Sequence, residues 1–229
     1  MDLYGKTAKS TAQKATIFIL QLLILFFAYI IAFNTFGSEI YSWFGIEISE
    51  GDLNRRIMIF AFSIFVLLRT SFTMIVFLKR RIPLEEVISI PLAFSLYYIG
   101  FAIFGYGSVQ EIGIIDYLGI AIFFFGSYLN TYSELQRHIW KKKNTNKGKL
   151  YTSGLFKYSM HINYFGDLLW VIAYSMLTLN IYSVWIPVFL FLFFAFYNIP
   201  KLDQYLAGKY KAQFSAYRKK TKKFIPFIY

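Results

Sequence analysis

Six long apolar runs divide this chain, and their length constrains the fold more than any other feature. A helix needs about 20 predominantly apolar residues to cross the hydrocarbon core of a bilayer. The runs Thr16–Phe36, Ile57–Leu78, Val87–Phe104, Ile114–Thr131, Asn163–Leu179 and Tyr182–Ile199 all lie near that length. The chain is 57% hydrophobic and 16% charged, whereas soluble domains carry about a quarter charged residues. The expected fold is all-α: a polytopic transmembrane helical bundle of about six spans, with residues 1–229 forming one integral membrane domain. The first run follows Lys6, Lys9 and Lys14, exceeds a signal-peptide core and lacks a small-residue cleavage site, so it is expected to remain as a membrane helix.

The net charge of +12 is distributed unevenly among the loops. The segment Gly37–Arg56 carries Glu39, Glu47, Glu50 and Asp52. The loop Gly105–Gly113 and the tight turn Thr178–Ile181 have no lysine or arginine. Basic residues collect instead at Lys79-Arg80-Arg81, across Arg137–Lys157, and along the tail Lys201–Lys223. The positive-inside tendency places that second set and both termini in the cytoplasm, with a bacterial inner membrane the expected host. It makes anionic lipid, rather than nucleic acid, the partner of these charges. Arg55-Arg56 breaks the pattern and is expected to snorkel at the outer interface. Without cysteine, thiol catalysis, disulfides and cysteine-ligated metal are excluded.

Ionisable residues at membrane depth are functional candidates by default, and they concentrate after residue 115. The first half (1–115) reads as scaffold and substrate-side helices, the second (116–229) as the functional half. One patch runs from Gly154 to Asp167. If a helix has begun by Asn163, then Asn163, Tyr164 and Asp167 share a face, with His161 at the entry and Gly166 open to close approach. A ligand site and an ordinary helix start, with Asn163 as N-cap and Asp167 as first-turn acid, both fit this pattern. His138 is too far off in sequence to pair with His161 as metal ligands, so no metal is expected. A second patch places Arg137 and Lys141 four apart on one face beyond the fourth run, as phosphate-holding cations or as stop-transfer charge; Lys142 and Lys143 read as the latter. A third is the tail from Pro200, where Leu202, Tyr205, Leu206, Tyr210, Phe214 and Tyr217 recur at helical spacing as an amphipathic surface helix on the cytoplasmic side. The closing Phe224–Tyr229 segment is apolar and suited to fold back toward the site.

At these patches the chain resembles the membrane sterol reductase and steroid 5-alpha-reductase C-terminal superfamily, and most of all a bacterial branch of it. Gln136-Arg137 with Trp140-Lys141 is similar to that superfamily's Gln-Lys and Phe-Arg pairs. Gly154-Leu155-Phe156 followed by His161-Ile162-Asn163-Tyr164-Phe165-Gly166-Asp167 is similar to its Gly-x-x and His-x-Asn-Tyr-x-Gly-Asp motifs. Tyr210, Tyr217-Arg218 and Ile225–Tyr229 follow its closing pattern. The match covers about residues 120–229, and the order of the motifs makes it more specific than any one alone. The resemblance implies an NADPH-dependent reductase acting on a carbon–carbon double bond of a lipid-like substrate. In it, Arg137 and Lys141 would hold cofactor phosphates, Tyr151 and Phe156 would line the pocket, and His161, Asn163, Tyr164 and Asp167 would bond the cofactor. Asp203, Leu206, Tyr210 and Tyr217 would close the wall. Tyr164, Asp167 and Glu134 are candidate catalytic groups, with Tyr97 and Tyr98 further possibilities for the proton donor that a reduction requires.

The tail departs from the superfamily's Arg-Asp-Glu stretch, reading Lys201-Leu202-Asp203. His161, Tyr164 and Gly166 are also similar to the His-x-x-Tyr-x-Gly pattern of isoprenylcysteine and phospholipid methyltransferases, which would use S-adenosylmethionine. Those enzymes pair the pattern with His-Pro and Glu-Glu, where this chain has Ile162 and Asp203-Gln204. A non-catalytic scaffold or lipid-binding protein is the remaining alternative. With no internal repeat, a transporter is disfavoured.

Overall fold

The computed structural model describes residues 9–229, so Lys6 lies outside the described residues. The chain is all-helical: α1 Thr11–Phe33, α2 Phe36–Ser42, α3 Leu53–Val76, α4 Leu84–Tyr106, α5 Ile114–Lys141, α6 Ile162–Thr178, α7 Trp185–Phe193, α8 Ile199–Tyr210 and α9 Ala212–Lys220. Among the described residues, five helices are long and apolar enough to span a bilayer: α1, α3, α4, α5 and the run Ile181–Tyr210. The chain is thus a polytopic integral membrane protein. The fifth expected span is α6, a helix of 17 residues, at the lower bound for crossing. Large apolar side chains such as Phe26, Ile88, Leu92 and Phe189 are more than half exposed, as expected where the solvent is acyl chain rather than water.

Two compact units form. The first takes the chain up to Gly119 together with Tyr174–Ile186; the second takes Ile120–Ala173 and Pro187–Tyr229. Tyr174–Ile186 thus returns to the first unit. That return rests on Tyr174, whose buried hydroxyl donates to the Ile59 carbonyl at 2.7 Å and meets Ser63 Oγ, while its ring stacks on Phe101 at 4.5 Å.

In the first unit α1 packs against α3 and α4. Ile17, Gln21, Leu25, Ala28 and Ala32 recur at three- and four-residue spacing and form its buried stripe. Asp52 caps α3 by accepting from the Arg55 backbone N–H at 2.8 Å. Pro83 precedes α4, and Glu86 in its first turn pairs with Arg80 at 2.7 Å.

The first unit holds buried charge near the start of α3. Arg55 does not snorkel: it is fully buried and ion-paired to Asp116, which is 1% exposed. It also donates to Asp116 Oδ2 at 2.9 Å and to the carbonyls of Leu177 at 2.7 Å and Glu111 at 3.2 Å. Arg56 is buried too, donating to the Ala32 carbonyl at 2.9 Å and to Glu50 at 3.0 Å. Both residues sit one turn inside α3, so they point into packed protein instead of toward the interface. Fixed carbonyls and carboxylates there replace the water that snorkelling would have supplied.

In the second unit α5 and α6 approach through glycines. A Cβ on Gly166 would lie 2.6 Å from Asn130 N and Gly126 O, and one on Gly126 would lie 2.7 Å from Gly166 O and Trp170 N. Contact of backbone on backbone at small residues is a common way for helices to associate in lipid.

No break occurs at Pro200: α7 runs through a π-helical turn, Phe194–Asn198, into α8. Wider π turns relax the i−4 hydrogen-bond pattern, so a proline lacking its N–H is accommodated just beyond. The helix stops instead at Lys211, whose φ of 45° lies in the left-handed region. After α9 the chain returns along residues 159–161. Met160 N–H donates to Lys222 O at 2.8 Å, His161 N–H to Lys223 O at 3.2 Å, and Ser159 Oγ to Phe224 O at 2.7 Å. Phe224 is fully buried, 5.9 Å from the Phe191 ring and 6.2 Å from that of Phe194.

Candidate functional site

The second unit gathers the candidate residues from α5, the segment before α6, α6 itself and the tail helices. Three turns of α5 supply Asn130, Glu134, Arg137 and Lys141, spaced so that they share one face. Glu134 forms an ion pair with Arg137 three residues on. Its other oxygen accepts from the Asn163 side-chain amide at 3.0 Å, while Asn130 donates to the Asn163 carbonyl at 3.2 Å.

Asn163 is therefore not the N-cap of α6. The helix begins at Ile162, Phe165 N–H already donates to His161 O at 3.1 Å, and the Asn163 amide donates across to α5. Asp167 accepts from Trp170 Nε1 at 2.8 Å within α6.

Arg137 lies over the Phe156 ring at 5.3 Å, a cation–π contact in a protein-lined setting. Around it Tyr151, Phe156, Leu129 and Ile162 form one buried cluster with Trp140 packed against it. Tyr210, Tyr217, Phe214 and Met160 form a second, with Leu206 and Leu150 alongside. The Tyr217 hydroxyl donates to Phe156 O at 2.5 Å. Burial pushes the Tyr217 and Tyr151 phenols above their ordinary range, so both are neutral hydrogen-bonding groups at physiological pH.

Gln136 holds the turn that carries Phe156. Its Oε1 accepts from Leu155 N–H at 2.9 Å. Gly154 adopts φ +59°, and a Cβ there would collide with Gln136 Oε1 and lie 2.7 Å from the Tyr151 hydroxyl. Both the left-handed backbone and the tight space require glycine.

His161 is 1% exposed, and its Nε2 lies 2.9 Å from Asp203 Oδ1. Lys223 Nζ stands 3.9 Å from the other carboxylate oxygen. The His161 ring is parallel to Tyr164 at 5.8 Å, and Tyr164 stacks on Phe194 at 4.6 Å.

Lys141 is exposed at the end of α5, with Arg137, Lys209 and Glu134 as its charged neighbours. Of these neighbours, Arg137 is already engaged by Glu134. Lys209, Phe194 and Lys223 were not among the residues expected here, and Gln136 was read only as part of a motif. Lys209 sits on α8 one position before Tyr210 and read as tail charge; nothing in its sequence setting distinguishes it from its exposed neighbours. Tyr97 and Tyr98 are buried in the first unit.

Residues 85–221 match the family model described as a protein of unknown function, DUF1295, and the chain belongs to that family. Over 88 residues it is also 34% identical to the probable O-methyltransferase ustE of Ustilaginoidea virens. That alignment takes in 38% of this chain and 31% of the relative, so the chain spans less than a third of that protein.

Proposed function

We propose that this protein is a membrane-embedded reductase that takes NADPH and reduces a carbon–carbon double bond of a lipid-like substrate, as in the sterol reductase and steroid 5-alpha-reductase superfamily. The observation that carries this reading is the cation excess at Arg137, Lys141 and Lys209 against Glu134, set beside the aromatic clusters of Tyr151, Phe156 and Tyr217. A dinucleotide phosphate brings several negative charges and two flat ring systems. S-adenosylmethionine brings a sulfonium cation, which such a cluster repels.

In this reading Arg137 and Lys141 hold phosphates, and Phe156 and Tyr151 pack against a ring. NADPH, when bound, supplies a hydride to one carbon of the double bond and leaves as NADP+; a proton must reach the other carbon. Glu134 and Asp167 already accept hydrogen bonds from Asn163 and Trp170. In this reading Tyr164, whose ring the His161 and Phe194 contacts orient, delivers that proton. The His161–Asp203 bond fixes that imidazole, and with it one face of the stack. The basic loops support placing this site at the cytoplasmic face, where NADPH is available.

The second reading is an S-adenosylmethionine-dependent methyltransferase, favoured by the likeness to the probable O-methyltransferase of Ustilaginoidea virens and by His161, Tyr164 and Gly166. Thermal-shift titration of the detergent-purified chain with NADPH, NADH and S-adenosylmethionine separates the two. A saturable shift with NADPH is expected. A shift with S-adenosylmethionine alone would replace the first reading with the second, and none with any cofactor in folded protein would favour a non-catalytic role.

A further inference from the structure

The first unit contains a feature that the proposed chemistry does not use. An open groove of about 810 Å³ lies between the start of α1 and the end of α3. Its walls are Ala15 and Phe18 from α1, Met74 and Ile75 from α3 and Leu78 just beyond it; Lys9, Lys14 and Lys79 also line it, and among the described residues no carboxylate does. The volume is within the range of small-molecule sites.

The basic end is held in place by the fold. Lys14 Nζ donates to the Leu78 carbonyl at 2.7 Å, which fixes the ammonium where α3 ends. Ser10 Oγ donates to Arg80 O at 3.4 Å and accepts from Ile82 N–H at 3.1 Å, tying the residue before α1 to the loop after Lys79. Glu86, in the first turn of α4, is occupied by Arg80. Among the described residues, Lys9, Lys14 and Lys79 therefore stand together with no carboxylate lining the groove, above a strip that turns apolar within one helical turn.

We infer that this groove is a binding site for an anionic phospholipid, its phosphate at Lys9, Lys14 and Lys79 and an acyl chain along Phe18, Met74, Ile75 and Leu78. Charge complementarity chooses this occupant. A neutral lipid would leave three ammonium groups facing one another, and a water-soluble anion would leave the apolar walls uncovered. The site is independent of the cofactor reading, since none of its residues belongs to the second unit.

The test uses the full chain in neutral detergent, titrated with phosphatidylglycerol, phosphatidylcholine or inorganic phosphate and followed by native mass spectrometry and thermal stability. Saturable binding of phosphatidylglycerol is expected, with neither of the other two producing a comparable shift. Lys9→Gln/Lys79→Gln, which keeps the Lys14–Leu78 contact, should weaken phosphatidylglycerol binding by roughly 25-fold, about fivefold per lysine. The exposed pair Lys219→Gln/Lys220→Gln should leave it unchanged. Equal loss from both pairs would reduce the effect to surface charge and overturn the site. So would an equal response to phosphatidylcholine or to inorganic phosphate, or undiminished binding by Lys9→Gln/Lys79→Gln.

Discussion

Replacing Asp116 with leucine tests whether the buried ion pair of the first unit organises the fold. Arg55 is fully buried, and its guanidinium spends its donors on Asp116 and on the carbonyls of Leu177, Gln110 and Glu111. Asp116 in turn accepts from Gly113 N–H at 2.8 Å as well as from Arg55. Removing the carboxylate leaves a cation with carbonyl partners and no counter-charge. Breaking a buried pair in this way costs about 3–5 kcal/mol. For a chain of this size, each kcal/mol moves the melting temperature by about 2–4 °C, so Asp116→Leu should lower it by roughly 6–20 °C. Arg55→Leu should cost a similar amount by stranding the acid. The double variant Arg55→Leu/Asp116→Leu should recover much of the loss, because replacing a whole buried pair with apolar groups is often near neutral. Tryptophan-fluorescence melts of the four proteins in one detergent complete the cycle. Single losses below about 1 kcal/mol, adding without coupling, would refute the reasoning, because exposed pairs behave that way.

Gly166→Ala should destabilise by about 1–3 kcal/mol, since its Cβ meets the backbone of Asn130 and Gly126; Gly208→Ala, with nothing within 4 Å, should be neutral or slightly stabilising in the same melts. His161→Ala should cost about 1–3 kcal/mol by leaving Asp203 with Lys223 alone at 3.9 Å, and an unchanged melting temperature would show that the pair carries no structural load. Burial raises the Tyr217 phenol above its unfolded value near 10, so its stabilisation is complete below that pH and declines as pH rises further, when the unfolded phenol ionises first. Melts between pH 9 and pH 11 should therefore fall less steeply for Tyr217→Phe than for the wild-type chain.

Much of the membrane architecture was visible in the sequence because hydropathy is a local property. The apolar runs at 16–36, 57–78 and 87–104 correspond to α1, α3 and α4 with their ends displaced by a few residues. The ends moved because helices continue into polar sequence: α5 goes ten residues past its apolar run, and α8 goes on past Pro200. What could not be read was pairing across long separations. Arg55 and Asp116 are 61 residues apart, and each looks like an ordinary boundary charge. Likewise Asn163 beside a helix start has the signature of a cap, and only the position of Glu134, 29 residues earlier, turns its amide toward another helix. Within the second unit the motif residues Arg137, Phe156, Asn163 and Tyr217 do come together, while Asp167 is drawn to Trp170 by an i, i+3 bond that the motif does not announce.

Isotope transfer decides the proposed chemistry most directly. The purified chain, supplied with lipid extract from its host membrane, is incubated with NADPH deuterated at C4 of the nicotinamide or with methyl-labelled S-adenosylmethionine, and the extract is analysed by mass spectrometry. A reductase that uses Arg137 and Lys141 will place deuterium on a lipid carbon, and Arg137→Gln/Lys141→Gln will abolish that transfer. Methyl label in the lipid with no deuterium would contradict it and make the protein a methyltransferase.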